Sequence, residues 1–150
     1  MTKESLTLDN LNWKILEELQ INARISYSEI GRKIGLTGPA VAERVQKLEN
    51  AGIIKGYTAD IDLYRIGYSL TAFINVRINP GSIHNFLRYL KSVKEVYECS
   101  RVTGSTSMIL KVAIREPVDL EKLVNNIIEY GSPETSIVLS NPIEHRVFRR

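Results

Sequence analysis

From Leu8 to Leu48 the apolar residues recur at intervals of three and four, the period of helices buried along one face. From Tyr68 onward they alternate with polar residues, as in strands that bury one side. The change of period predicts an N-terminal helical domain over residues 1–56, a strand or hinge linker over 57–66 and a second domain over 67–150. A first helix starts after Asp9 as N-cap and carries Ile15, Leu16 and Leu19 to about Asn22. Ser26, with Glu29 three residues on, has the spacing of a capping box and opens a second helix with Ile30 and Ile34 inward. Gly35 supplies a sharp C-terminal turn, Leu36 plugs the angle, and Thr37 caps a third helix with Pro39 in its first turn and Gly52 past its end. This is the spacing of a helix-turn-helix. Ile53, Ile54, Gly56, Tyr57, Ala59 and Ile61 predict a short strand leading out of it.

In the second half, Tyr68, Leu70, Ala72, Ile74, Val76 and Ile78 alternate with Ser69, Thr71, Asn75 and Arg77 in a strand that ends at Asn79-Pro80-Gly81. Ser82 then caps a helix carrying Ile83, Phe86, Leu87 and Leu90 on one stripe. A hairpin of Val96–Thr103 and Ser107–Ile114 follows, with Gly104-Ser105 as a tight turn. Pro117 or Asp119 opens a helix with Leu120, Leu123, Val124 and Ile127 inward, and Gly131-Ser132-Pro133 separates it from a last strand through Ile137, Val138 and Leu139. The order β-α-β-β-α-β is the split pattern of an α+β domain with two helices on one face of an antiparallel sheet. The opposite face, carrying Phe73 and Tyr97, would be poorly hidden in a monomer and predicts self-association through the sheet.

Composition places the chain among ordinary globular proteins, with 43% apolar and 25% charged residues. The net charge of +3 points only mildly towards polyanions, because the first 60 residues balance eight Lys or Arg against eight Asp or Glu. The excess is local: Arg24, Arg32, Lys33, Arg44, Lys47 and Lys55 face only Glu29, Glu43 and Glu49 between residues 24 and 55. Cys99 is the single cysteine, which excludes an intrachain disulfide and a cysteine metal cage and suits a cytoplasmic location. No apolar run approaches the roughly 20 residues of a membrane span, and the polar start is unlike a signal peptide.

On a helical wheel Val41, Val45 and Leu48 share one side of the third helix, and Pro39, Ala40, Glu43, Gln46 and Lys47 share the other. Arg44 lies on the flank, within reach of a phosphate or a guanine edge. The residues expected to meet double-stranded DNA are Ser26, Arg32, Lys33, Thr37, Gly38, Pro39, Ala40, Glu43, Arg44 and Lys47. A solvated surface helix would carry similar residues. The three helices, their caps and the turn between them are what favour DNA.

The residues Leu8-Asp9, Asn22-Ala23-Arg24-Ile25-Ser26, Ile34-Gly35-Leu36-Thr37, Arg44-Val45 and Gly52-Ile53-Ile54 resemble the leucine-responsive regulatory protein (Lrp/AsnC, feast/famine) family. The likeness continues through Val96-Tyr97-Glu98-Cys99, Val102-Thr103-Gly104, Leu110-Lys111-Val112 and Ile137-Val138-Leu139-Ser140, nearly the whole chain. It implies a helix-turn-helix or winged-helix domain joined to a ferredoxin-like regulatory domain, dimers formed through the regulatory sheets, and an octamer or another ring of dimers that wraps DNA. It also implies an amino-acid effector bound near the hairpin loop, here Thr103, Gly104, Ser105, Thr106 and Ser107. Relatives that respond to amino acids usually carry acids at the two positions where this chain has Ser105 and Ser107, and a carboxylate holds an α-ammonium better than a hydroxyl does. The loop therefore reads equally as a plain polar turn. Asn12 also stands where the family commonly has Asp.

Catalysis finds no support in the residues. His84 and His145 lie in separate elements without metal-ligand spacing, and Cys99 in a strand reads as a small packed apolar group with no paired base. Trp13 and Tyr89 read as packing residues, and Arg146, Arg149 and Arg150 as a solvated basic tail. No cofactor is expected. The leading reading is a sequence-specific, homo-oligomeric transcriptional regulator; the alternatives are a small-molecule-binding metabolic subunit or enzyme, and an architectural DNA-compacting protein.

Overall fold

The computed structural model describes residues 7–144 and 146–150; residues 1–6 and His145 lie outside the described residues. Two compact units are present, one running to Asp60 and including the segment Ile143–Arg150, the other Ile61–Pro142.

In the first unit, α1 (Asn10–Ile21), α2 (Tyr27–Ile34) and α3 (Gly38–Asn50) follow the predicted caps to within a residue. The Asp9 carboxylate accepts from the Asn12 amide at 2.7 Å, and Ser26 Oγ accepts from the Glu29 amide at 3.2 Å. Each satisfies a donor that the first turn leaves without a helical partner. Ile15, Leu19, Ile25, Ile30, Val41, Val45 and Leu48 form the core, with Leu8, Leu16, Ile34, Leu36 and Ile54 packed around it. Full burial of such side chains contributes about 1.5–3 kcal/mol each and holds the three helices together.

The strand expected over residues 53–61 is not formed: this stretch has no regular structure, and the described residues of its unit contain no strand to pair with it. Alternation alone does not make a strand, because the ladder bonds require a neighbour. The tail also differs from a simply solvated one. Gln20 Oε1 accepts from the Phe148 amide at 2.8 Å while its Nε2 donates to the Phe148 carbonyl at 3.1 Å, so one side-chain amide docks the tail backbone on α1. Arg146, Arg149 and Arg150 remain exposed.

The second unit is β1 (Leu70–Ile78), α4 (Ile83–Leu90), β2 (Val96–Arg101), β3 (Met108–Ile114), α5 (Pro117–Ile128) and β4 (Gly131–Ile137). The strands lie in the order β2-β3-β1-β4, all antiparallel, the arrangement of a ferredoxin-like domain. Ala72, Ile74 and Val76 of β1 and Met108, Leu110 and Val112 of β3 meet Phe86 and Leu90 of α4 and Leu123 and Ile127 of α5. Tyr89 packs as expected, stacked on Tyr130 with ring centroids 5.3 Å apart.

Four local expectations need correction. Gly131-Ser132-Pro133 is not a separating turn but the start of β4; as an edge strand β4 tolerates a residue without an N–H, and it ends at Ile137 with Leu139 exposed. Ser82 makes no side-chain cap, since its own backbone is right-handed helical (φ −85°, ψ −7°) where a cap needs extended geometry. The hairpin loop spans residues 102–107 rather than a two-residue turn, because β1 takes hold of it: Ser107 donates its amide to the Val76 carbonyl at 3.0 Å. Cys99 is exposed rather than packed, since β2 is a sheet edge, and desolvation raises its thiol pKa, which disfavours the thiolate.

Candidate nucleic-acid interface

The turn between α2 and α3 is built from backbone. Gly35 adopts φ 78°, ψ 33°, the left-handed conformation that glycine enters without strain, and the Leu36 amide closes on the Gly31 carbonyl at 2.9 Å. Thr37 is extended, accepts from the Ala40 amide at 3.4 Å and starts α3 at once. Gly38 brings the start of α3 against α2, for a Cβ there would stand 2.8 Å from Ser28 Oγ. Its smallness is thus used within the protein itself.

Val41, Val45 and Leu48 anchor α3 in the core, which leaves Pro39, Glu43, Gln46 and Lys47 exposed. Ala40 and Arg44 are half-buried at the border. The predicted residues on α3 thus share one accessible face. Ser26 and Thr37 sit at the starts of α2 and α3 as caps, and Arg32 and Lys33 occupy the last turn of α2.

The charges on this face are arranged in pairs. Lys47 Nζ meets Glu43 Oε1 at 2.7 Å one helical turn away, and Lys33 Nζ meets Glu18 Oε2 at 2.6 Å. Arg44 reaches out of α3 to α1: its Nη1 donates to Asp9 Oδ2 at 2.7 Å and to Asn12 Oδ1 at 2.9 Å. The Asn12 backbone N–H first and the Arg44 guanidinium second hold the Asp9 carboxyl below its ordinary pKa; Lys47 does the same for Glu43. Arg32 is exposed and has no ion pair among the described residues. A groove of about 420 Å³ runs beside α3 between Asp9, Asn12, Leu36, Ala40, Arg44 and Lys47.

Asp9 and Asn12 were not singled out by sequence as part of this face. Asp9 has a cap signature, but its bond to Arg44 spans 35 residues and follows from the packing of α1 on α3, for which no local spacing exists.

The hairpin loop of the second unit is braced by β1. Arg77 Nε donates to the Ser105 carbonyl at 3.0 Å, and Ser107 Oγ accepts from the Ile78 amide at 3.3 Å. Gly104 takes φ 113°, Thr103 and Ser105 are exposed, and Thr106 and Ser107 are half-buried. The Ser107 hydroxyl therefore has a structural partner already. Among the described residues no cluster of metal-ligating side chains occurs, and no helix is long and apolar enough to cross a membrane.

Comparison with known proteins agrees with both halves of this description. Residues 8–49 match the AsnC-type helix-turn-helix domain, and residues 71–148 match the Lrp/AsnC ligand binding domain. The HTH-type transcriptional regulator LrpB of Bacillus subtilis (strain 168) is 34% identical over 93% of this chain and 94% of its own length. The regulatory protein AsnC of Escherichia coli (strain K12) is 36% identical over 93% and 95%. Both are named as regulators, not enzymes. The solved structure of B. subtilis LrpC superposes with a TM-score of 0.87 at 30% identity, covering 94% of this chain and all of that one. A transcriptional regulator from Neisseria meningitidis, solved as a complex with L-Met, superposes equally well at 26% identity over 95% and 96%.

Proposed function

The chain belongs to the Lrp/AsnC family of transcriptional regulators, and we propose that its α3 face reads a pseudo-palindromic DNA site while its ferredoxin-like unit assembles the protein and receives an effector. The protein acts as a dimer that sets two α3 helices in successive major grooves, about 34 Å apart on one face of the duplex. Arg32, Lys33 and Lys47 contact phosphates; Pro39, Ala40 and Glu43 approach base edges; Arg44, on the flank, meets a phosphate or a base edge of the correct site; Ser26, Thr37 and Gly38 present helix starts to the backbone. Dimers associate further into an octamer or another ring of dimers, in the cytoplasm.

The observation that carries this reading is the accessible face of α3, held at a fixed angle by a glycine-terminated turn beneath it. The test is fluorescence anisotropy of the protein with its own upstream DNA against an unrelated duplex at several salt concentrations. Preference for the upstream fragment, with affinity falling steeply as salt rises, is the expected result. Equal affinity for both duplexes would leave an architectural role instead, and no binding at low salt would overturn DNA recognition altogether.

The effector is a small molecule of the amino-acid class, in keeping with the L-Met complex of the N. meningitidis relative. Ser105 and Ser107 offer hydroxyls where an ammonium group prefers a carboxylate, and Ser107 is engaged by Ile78. Free amino acids are therefore expected to alter DNA affinity and assembly size weakly. A tight, stoichiometric response to one of them would refute this account of the loop.

A further inference from the structure

Asp9 uses its two carboxylate oxygens for different purposes. Oδ1 accepts the Asn12 amide at 2.7 Å and starts α1, while Oδ2 takes Arg44 Nη1 at 2.7 Å. Asn12 is 5% exposed and offers Oδ1 to the same Nη1 at 2.9 Å, so the guanidinium is held from two sides by the first turn of α1. Both bonds fall on one nitrogen, Nη1, and an arginine carries five N–H donors in a rigid fork. Arg44 lines the groove together with Ala40 and Lys47, keeps donors beyond Nη1 for a further acceptor, and has its charge paired with Asp9.

We propose that Asp9 is a specificity-determining residue for DNA recognition: its carboxylate neutralises Arg44 toward undirected phosphates and orients its free donors toward one position of the correct site. This rests on α3 being the DNA-reading helix. An unrestrained arginine on that face would be drawn to any phosphate and would raise affinity for every sequence alike, since phosphate contacts carry no sequence information. A restrained arginine contributes where the duplex brings an acceptor to it, and preorganisation lowers the ordering cost of that contact. Glu43 does not duplicate this arrangement, because its pairing with Lys47 lies along one exposed helix face and fixes neither partner against another element.

The test compares wild type, Asp9→Asn, Arg44→Gln and the double variant, each titrated with the upstream fragment and with unrelated duplex over a range of salt. Asparagine caps a helix as well as aspartate does, so Asp9→Asn removes the charge and keeps α1; Asp9→Ser is a second cap-competent variant without charge, and thermal melts verify both. With Asp9→Asn, nonspecific affinity is expected to rise about threefold at moderate salt, its salt slope to steepen by about 0.9, and the specific-to-nonspecific ratio to fall. On the Arg44→Gln background the same change is expected to leave the slope unaltered. An unchanged slope in both Asp9→Asn and Asp9→Ser would overturn the proposal. So would an equal steepening with and without Arg44, which would mark a general effect of net charge. Failure of the wild type to bind either duplex would instead remove the reading on which the proposal rests.

Discussion

Leu36 donates its backbone N–H to the Gly31 carbonyl at 2.9 Å, and its own carbonyl folds back so closely over the Gly31 Cα that a methyl group there would collide with it. Gly31 lies inside α2, where helix propensity alone favours alanine over glycine by about 1 kcal/mol. The collision is with backbone and cannot be relieved by a rotamer change. Gly31→Ala is therefore expected to destabilise the first unit by about 1–3 kcal/mol, as overpacking does, and to weaken DNA binding through the displaced turn. Chemical denaturation reads the sign directly, and a more stable variant would refute the close-approach argument.

Arg32 and Lys33 are neighbours in the last turn of α2 with different surroundings. Lys33 is held by Glu18 at 2.6 Å, whereas Arg32 is exposed with no ion pair among the described residues. A cation that must leave a carboxylate contributes less to phosphate binding than one that is free. Arg32→Ala is expected to lower the salt slope of DNA binding by about 0.9, and Lys33→Ala by less. Anisotropy titrations at several salt concentrations separate the two, and equal or reversed losses would contradict the assignment.

Tyr57 donates its hydroxyl to Glu49 Oε1 at 3.0 Å, and its pKa is pushed up to about 12, first by desolvation and then by the bond to Glu49 and its charge. The folded state thus holds the phenolic proton more tightly than the unfolded chain, whose tyrosine titrates near 10.0. The resulting stability is present below pH 10 and is lost as pH rises from there through about 12. Ultraviolet titration should show a tyrosinate step near pH 12 that Tyr57→Phe removes. Because Tyr57 is about half exposed, the variant should cost only about 0.5 kcal/mol at neutral pH. A Tyr57 titrating at the ordinary value would show the bond to be absent in solution.

Much of this architecture is written in local spacings. Asp9, Ser26 and Thr37 mark helix starts, Gly35 marks the turn, and the three-four and two-residue periods separate the units. What sequence does not carry is pairing between distant elements. The alternation over residues 53–61 looks like a strand only until it is known that the described residues of its unit offer no neighbouring strand. Pro133 reads as a breaker unless its strand is known to lie at an edge, where the missing N–H faces no partner. The Asp9–Arg44 bond depends on how α1 crosses α3, and the docking of Phe148 on Gln20 joins residues 128 apart. The face of α3 was legible because amphipathicity is local; the restraint on that face was not.

Phe73 is 38% exposed in the middle of β1, opposite Lys111 on β3 and Ser136 on β4, on the sheet face away from both helices. It belongs to no core cluster of its unit, so its apolar surface serves the monomer little. Proposed self-association through this face predicts that Phe73→Glu shifts the protein toward monomer, with a dissociation constant raised about 10–100-fold, as for a central aromatic anchor. The fold should persist, because position 73 is 38% exposed and outside the core, so the new carboxylate remains hydrated in the monomer. In the dimer the same carboxylate would have to be desolvated against the partner sheet. Sedimentation velocity distinguishes the outcomes. Unchanged association would move the interface elsewhere, whereas a monomer with intact secondary structure and weakened binding to the two-half-site fragment would link the sheet face to DNA recognition.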